Sequence, residues 1–366
     1  MPKNIVIFSD GTGQEGGRGN NTNIYNLYNM IEDRTDKQVS FYDPGLGTGW
    51  RKITGSAGGA GISKNIKECY TFISDNFEAG DEIYLFGFSR GAATVRSLAS
   101  MIHEFGILPK SRYDLIGYAY DTYSIRDKKK RETETKAFVK RHHTMWTRIK
   151  FLGCFDTVAA LGIPYEPVDV ILDKLPFLKH KFHNFKLSEA VENAYQALAI
   201  DDRRETFHPI LWDETGLKDY QTIQQVWFCG MHTDVGGGYE EFDLSDIPLL
   251  WMKNKAEEHG LRIHLGHKVL IQFNVNGKMH NSREGTFAKF YPEKERFWDS
   301  TRTDRPVVHQ SVLERTKNQD NKDEPPYDPW ILQLDYEVEM YGGDNSELFV
   351  LPLDGEDIVL EEESYY

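Results

Sequence analysis

The residues Gly87-Phe88-Ser89-Arg90-Gly91 read G-x-S-x-G, a serine framed by glycines two positions to either side. They follow the apolar run Ile83-Tyr84-Leu85-Phe86 and precede Ala92, Val95, Leu98, Ala99 and Ile102 at helical spacing. A strand, a sharp turn and a helix in that order lift a serine hydroxyl above a sheet edge as a nucleophile. The flanking positions crowd each other across such a turn, so hydrogen side chains fit best there. A serine hydroxyl attacks only when a base takes its proton and a third group orients the base. Asp156 closes the apolar run 149–155, and His232 follows the run 225–229. The three come in the chain order Ser, Asp, His, which is the α/β-hydrolase order. His232 is expected to take the Ser89 proton and pass it to the leaving group, and Asp156 to hold the imidazole tautomer. His280 and His309 are rival bases, ranked below His232 because no clear strand precedes either.

An acyl-transfer site also needs two backbone N–H groups aimed at the developing oxyanion. Arg90, next after the serine, is expected to supply one. Gly11 or Thr12 in Asp10-Gly11-Thr12-Gly13 is expected to supply the other, at the end of the apolar run 5–8. The stretch Phe8-Ser9-Asp10-Gly11-Thr12 is also similar to the D-x-D-G-T motif of haloacid-dehalogenase phosphatases, but Phe8 stands where that chemistry needs its nucleophilic aspartate. A metal-assisted phosphoester hydrolase would gather Asp10, Asp156, His232 and Asp234, which lack tight ligand spacing. No metal and no cofactor are therefore expected, and His180, His183, His264 and His267 read as surface histidines. A non-catalytic, hydrolase-like binding or scaffold protein is the alternative from another class.

The elements that must position these residues alternate. Apolar runs at 5–8, 39–42, 82–86, 149–155 and 225–229 read as strands, and 23–31, 62–77, 111–141 and 244–259 as helices. Residues 46–61 read as a glycine-rich loop, 126–130 as a solvated helix face, and 188–199 as a further helix. This alternation predicts an α/β fold, a mostly parallel sheet with helices on both faces and a cap or insertion. Residues 1–300 are expected to form the catalytic domain. Residues 163–187 are the expected lid or interfacial insertion, because Phe177, Phe182 and Phe185 interleave with Lys174, Lys179, Lys181 and Lys186. Residues 301–366, where the signals weaken, are the expected C-terminal extension with an acidic tail.

At 366 residues the chain can bury a sizeable core. Its net charge of −14 argues against nucleic acid as the main partner, since phosphate neutralisation needs clustered Lys and Arg. The three cysteines, Cys69, Cys154 and Cys229, are too few and too widely spaced for a disulfide framework or zinc knuckle, and read as buried thiols in a reducing compartment. The sequence enters its first strand without a secretory leader, and no apolar run approaches a membrane span. A cytoplasmic protein is expected, with any export by a route that reads no such signal. Composition leaves the oligomeric state open.

Beyond these readings, Gly87–Ala92, Phe155-Asp156-Thr157-Val158 and His232-Thr233-Asp234-Val235-Gly236-Gly237-Gly238-Tyr239 together resemble an α/β-hydrolase-like family of bacteria and fungi, which includes the first group of type VI secretion phospholipase effectors. Asp10-Gly11-Thr12, Ala197-Leu198-Ala199, Asp202-Arg203-Arg204, Phe207, Pro209 and Trp212 extend the resemblance over about residues 4–290. It implies a triad at Ser89, Asp156 and His232, hydrolysis of phospholipid acyl esters, and peripheral contact with a membrane. Those effectors carry an added membrane-anchoring module, for which this chain has room only in 163–187 and its C-terminal third.

Overall fold

A computed structural model describes residues 2–11, 16–17, 19–45, 56–158, 186–284, 291–299, 302, 304–317 and 326–341. Its strands are β1 (Asn4–Ser9), β2 (Gln38–Asp43), β3 (Glu82–Phe88), β4 (Ile149–Phe155), β5 (Val191–Ala199), β6 (Thr222–Phe228), β7 (Val307–His309) and β8 (Glu337–Glu339). They form one sheet in the order β2-β1-β3-β4-β5-β6-β7-β8. Every pairing is parallel. All carboxyl ends therefore share one edge, where open parallel sheets place their ligands.

A parallel sheet covered on both faces needs strands that are apolar on both sides, and β1 shows why the sequence meets this. Ile5 and Ile7 point into one core, Val6 and Phe8 into the other, and all four are fully buried. The first core is closed by α2 (Ser56–Asn76), α3 (Arg90–Phe105) and α4 (Tyr113–Tyr123), through Ile66, Ile73, Val95, Leu98 and Leu115 among others. α5 (Lys128–His142) lies beside them, with Phe138 packed on Phe105 and Lys128–Lys130 exposed. The second core is closed by α1 (Asn23–Met30) and, after the short α6 (His232–Gly236), by α7 (Asp246–Glu258), through Leu27, Leu249 and Met252. Each such fully buried side chain contributes about 1.5–3 kcal/mol relative to an exposed one. The three cysteines are buried free thiols.

Several expectations change, and the helix expected over 111–141 is the pair α4 and α5. The helix expected over 188–199 is the strand β5. Its Ala, Glu, Gln and Leu residues favour helix in isolation, but the segment lies between β4 and β6, paired on both sides and buried at every position except Glu192. Within the 301–366 extension, β7 and β8 continue the same sheet, and α8 (Gln310–Lys317) follows β7. Val308, Val312 and Ile331 bury themselves against Leu198 and Trp227 of the preceding strands. Of the expected lid, only Lys186 and Leu187 are described, the former exposed and the latter in the first core. Residues 163–185 and the acidic tail lie outside the described residues, as do residues 46–55 of the expected loop 46–61, whose residues 56–61 instead open the helix α2. Among the described residues, no helix is long and apolar enough to cross a membrane.

Candidate active site

Ser89 stands between β3 and α3 with φ 57° and ψ −119°, a backbone conformation that L-residues rarely adopt. Neighbouring contacts hold it there. The Ser89 N–H donates to the Phe155 carbonyl at 3.0 Å, tying the turn to the end of β4. A Cβ at Gly91 would lie 2.0 Å from the Ser9 carbonyl oxygen, and one at Gly87 would lie 2.5 Å from the Gly91 carbonyl oxygen. These clashes are the physical content of the two framing glycines: β1, β3 and α3 meet here at backbone contact.

The structure brings Ser89, His232 and Asp156 into one line. Ser89 Oγ lies 2.8 Å from His232 Nε2, and His232 Nδ1 lies 2.6 Å from Asp156 Oδ2. Phe88 lies tilted against the imidazole at 4.7 Å and Phe207 meets it edge-on at 5.2 Å, and all three polar groups are buried. Burial lowers the imidazole below its ordinary pKa, against the opposing pull of Asp156, so the resting ring is neutral and free to accept a proton. Burial raises Asp156, but the Arg296 guanidinium and the bonds from Arg296 and His232 outweigh it and hold the carboxyl well below the usual carboxylate range. Asp156 is therefore ionised in any ordinary buffer.

β5 gives this line its support. It separates β4, which ends at Asp156, from β6, which leads to His232, so the acid and the base are two strands apart. The turn after β5 carries Asp201 and Asp202. Asp201 Oδ2 accepts the Gly230 N–H at 2.7 Å, and Asp202 Oδ2 accepts the His232 N–H at 3.3 Å. Arg204 forks onto Asp202 and lies over the Phe207 ring at 3.5 Å. Asp202 and Arg204 thus brace the base from outside.

The other expected residues lie as follows. The Arg90 N–H sits in the first turn of α3, where amides lack intrahelical acceptors. Gly11 is beside the serine, since a Cβ on it would lie 3.6 Å from Ser89 Cβ, but its N–H already donates to Asp10 Oδ1 at 2.6 Å. Thr12 lies outside the described residues. The Asp10 carboxylate also accepts from Thr22 and Tyr42, fixing the end of β1. The rival bases are engaged elsewhere. His280 Nδ1 bonds Asp234 Oδ1 at 2.6 Å, and its ring stacks on Tyr239. His309 bonds Ser311 inside the second core, where burial lowers its pKa to about 3. Among the described residues, no group of three His, Cys, Asp or Glu side chains is spaced to hold a metal ion.

One participant was not legible in the sequence. Arg296, fully buried, donates through Nη1 to Asp156 Oδ1 at 2.7 Å and through Nη2 to Asp156 Oδ2 at 2.8 Å. It lies 140 residues from its partner, in a stretch without periodicity. Its one sequence signal is an arginine in the aromatic context Arg296-Phe297-Trp298.

A parallel sheet with helices on both faces, turning through a strained serine between strand and helix, defines an α/β-hydrolase-like protein. The family described as "T6SS, Phospholipase effector Tle1-like, catalytic domain" matches residues 3–255, and the chain belongs to it. The uncharacterised protein YEL023C of Saccharomyces cerevisiae (strain ATCC 204508 / S288c) is 29% identical over 257 residues, covering 63% of this chain and 36% of its own length. Among solved structures, an uncharacterised protein from Pseudomonas aeruginosa has a TM-score of 0.46 at 17% identity, covering 75% of this chain and 49% of its own. The Tle1 effector bound to the VgrG spike of the type 6 secretion system has a TM-score of 0.39 at 19% identity, covering 66% of this chain and 52% of its own. The chain thus spans about a third of the curated relative's length and about half of each of these two structures.

Proposed function

We propose that the chain is a serine hydrolase of lipid acyl esters, with phospholipids as the substrate class, acting through Ser89, His232 and Asp156. The observation that carries this reading is the continuous line from Ser89 Oγ to His232 Nε2 at 2.8 Å and from His232 Nδ1 to Asp156 Oδ2 at 2.6 Å. Family membership supports the lipid ester as substrate.

In this mechanism His232 takes the Ser89 proton as Oγ attacks the ester carbonyl. The imidazolium then returns the proton to the leaving alcohol, which departs and leaves an acyl-serine. Water attacks the acyl-serine with the same imidazole as base, releasing the fatty acid and restoring the serine. The Arg90 N–H, in the first turn of α3 where an amide has no intrahelical acceptor, is suited to the oxyanion, which a preorganised donor stabilises most when water is excluded.

A fluorophosphonate probe tests the nucleophile. The wild-type chain is expected to be labelled and Ser89→Ala not, and wild-type protein that has not met the probe should release fatty acid from phosphatidylglycerol vesicles, an activity that labelling abolishes. An unlabelled wild type would remove the serine mechanism. Labelling without release would leave a serine esterase acting on another ester.

A further inference from the structure

Catalytic carboxylates of triads must orient the imidazole and stabilise its charged form. In this chain a second, fixed cation shares that carboxylate. Both Asp156 oxygens are saturated: Oδ1 accepts from the Ala199 N–H at 3.0 Å and from Arg296 Nη1, and Oδ2 accepts from Arg296 Nη2 and from His232. The guanidinium is itself pinned, since Nη1 also donates to the Ala199 carbonyl at 2.5 Å and Nη2 to the Phe207 carbonyl at 2.7 Å. The planar fork presents two parallel donors to two oxygens, a match that a lysine ammonium cannot make.

We infer that Arg296 is a positioning residue of the reaction, fixing the Asp156 carboxylate plane and offsetting its charge so that the imidazole stays neutral to lower pH. This rests on the serine-hydrolase reading above. It also extends the catalytic unit past the family match, which ends at residue 255, into the segment that carries β7 and β8.

Several charges face the Asp156–His232 pair. An ionised Asp156 beside His232 favours the imidazolium, and the Arg296 charge, bonded to the same Oδ2 as the imidazole, opposes it. The remaining groups are Arg204, which faces His232 from the turn after β5, Asp202, which faces both His232 and Arg296, and Asp201 and His208, which face Arg296. Asp202 and Arg204 pair with each other. Asp201 accepts from Gly230 and Tyr327, and His208 Nε2 bonds the Lys294 carbonyl at 3.1 Å. Arg296 is thus the one cation bonded directly to the acid among the described residues. Removing it should raise the pKa of both Asp156 and His232, and both changes move the acid limb of activity in the same direction.

The test is the pH dependence of fluorophosphonate labelling and of p-nitrophenyl ester kcat/KM for the wild type, R296M and R296K, with thermal melts alongside. R296M is expected to move the acid limb upward by about one pH unit or more. R296K keeps the charge without the fork, and is expected to lower the plateau with a smaller displacement of the limb. An R296M limb that stays in place, with the rate scaled equally at every pH, would overturn the inference. Should R296M not fold, the double variant D156N/R296M decides. A residue acting through Asp156 costs little further activity in the D156N background, and removing both charges together should restore melting temperature relative to D156N. A further tenfold loss of activity in that background would overturn the inference as well. Wild-type protein unlabelled at all pH values would instead fail the serine-hydrolase reading itself, whatever the Arg296 variants do.

Discussion

At the residue scale, groups bonded in series act as one unit, so removing any member should remove almost all that the unit does. Ser89→Ala and His232→Ala are each expected to lower kcat on the order of 10⁴–10⁶-fold, and the double variant to be scarcely worse than either. Asp156→Asn should differ in one respect. It leaves the buried Arg296 guanidinium without its counter-charge, and breaking a buried pair from one side costs about 3–5 kcal/mol. This variant should therefore melt at lower temperature as well as lose activity, whereas Ser89→Ala should melt like the wild type. His309→Ala should leave the rate near wild type, since that ring is stacked on Phe228 inside the core. His280→Ala should act only weakly, by loosening Asp234, which also accepts the Met231 N–H before the base. Steady-state rates on a p-nitrophenyl ester and thermal melts of the five single variants and the double variant check this set. Full activity in His232→Ala, with loss in either other histidine variant, would reassign the base. Ser89, Asp156 and His232 were legible because each follows an apolar run. Arg296 was not, because its aromatic neighbours Phe297 and Trp298 say nothing of a partner 140 residues away.

At the scale of elements, β1, β3 and β4 could be read as strands because their residues are apolar on both faces, as a doubly covered parallel sheet demands. β5 could not. Val191–Ala199 is rich in residues that suit either a helix or a buried strand, and only its neighbours β4 and β6 decide between them. β7 and β8 are three residues each, too short for any alternation to show. The same burial that builds these layers also sets a pH dependence. Asp246 opens α7 with its carboxylate buried and accepting the Gln272 N–H at 2.8 Å. Burial, with Asp243 nearby, pushes its pKa up to about 7. A carboxyl whose folded value exceeds its unfolded one contributes its full stability below the unfolded value, near 4, and loses it as pH rises through 7. Asparagine can accept the same bond uncharged. Asp246→Asn is therefore expected to match the wild type near pH 4 and to exceed it at pH 8 by roughly 1–4 kcal/mol, at about 1.4 kcal/mol per unit of raised value. Denaturant melts at the two pH values check this. Parallel stability curves for the two proteins would show that Asp246 ionises in the fold without penalty.

At the scale of the whole molecule, the chain carries a net charge of −14, which opposes approach to an anionic lipid surface. A phospholipid hydrolase must nonetheless meet its substrate at such a surface. The segment 163–187 has the composition for it, with Phe177, Phe182 and Phe185 interleaved with Lys174, Lys179, Lys181 and Lys186. Residues 163–185 lie outside the described residues. A solvated loop has no use for three phenylalanines, and a buried one has no use for four lysines. An interfacial segment uses both: each large apolar side chain contributes roughly 1.5–3 kcal/mol when buried, and each lysine about 1 kcal/mol near anionic lipid. Activity on anionic vesicles is therefore expected to exceed that on neutral vesicles and to fall as salt screens the lysines. The double change Phe177→Ser and Phe182→Ser should lower turnover on vesicles at least tenfold more than turnover of a soluble short-chain ester. An equal loss on both substrates would make the segment part of the fold alone, and no loss on either would move the lipid contact to another surface.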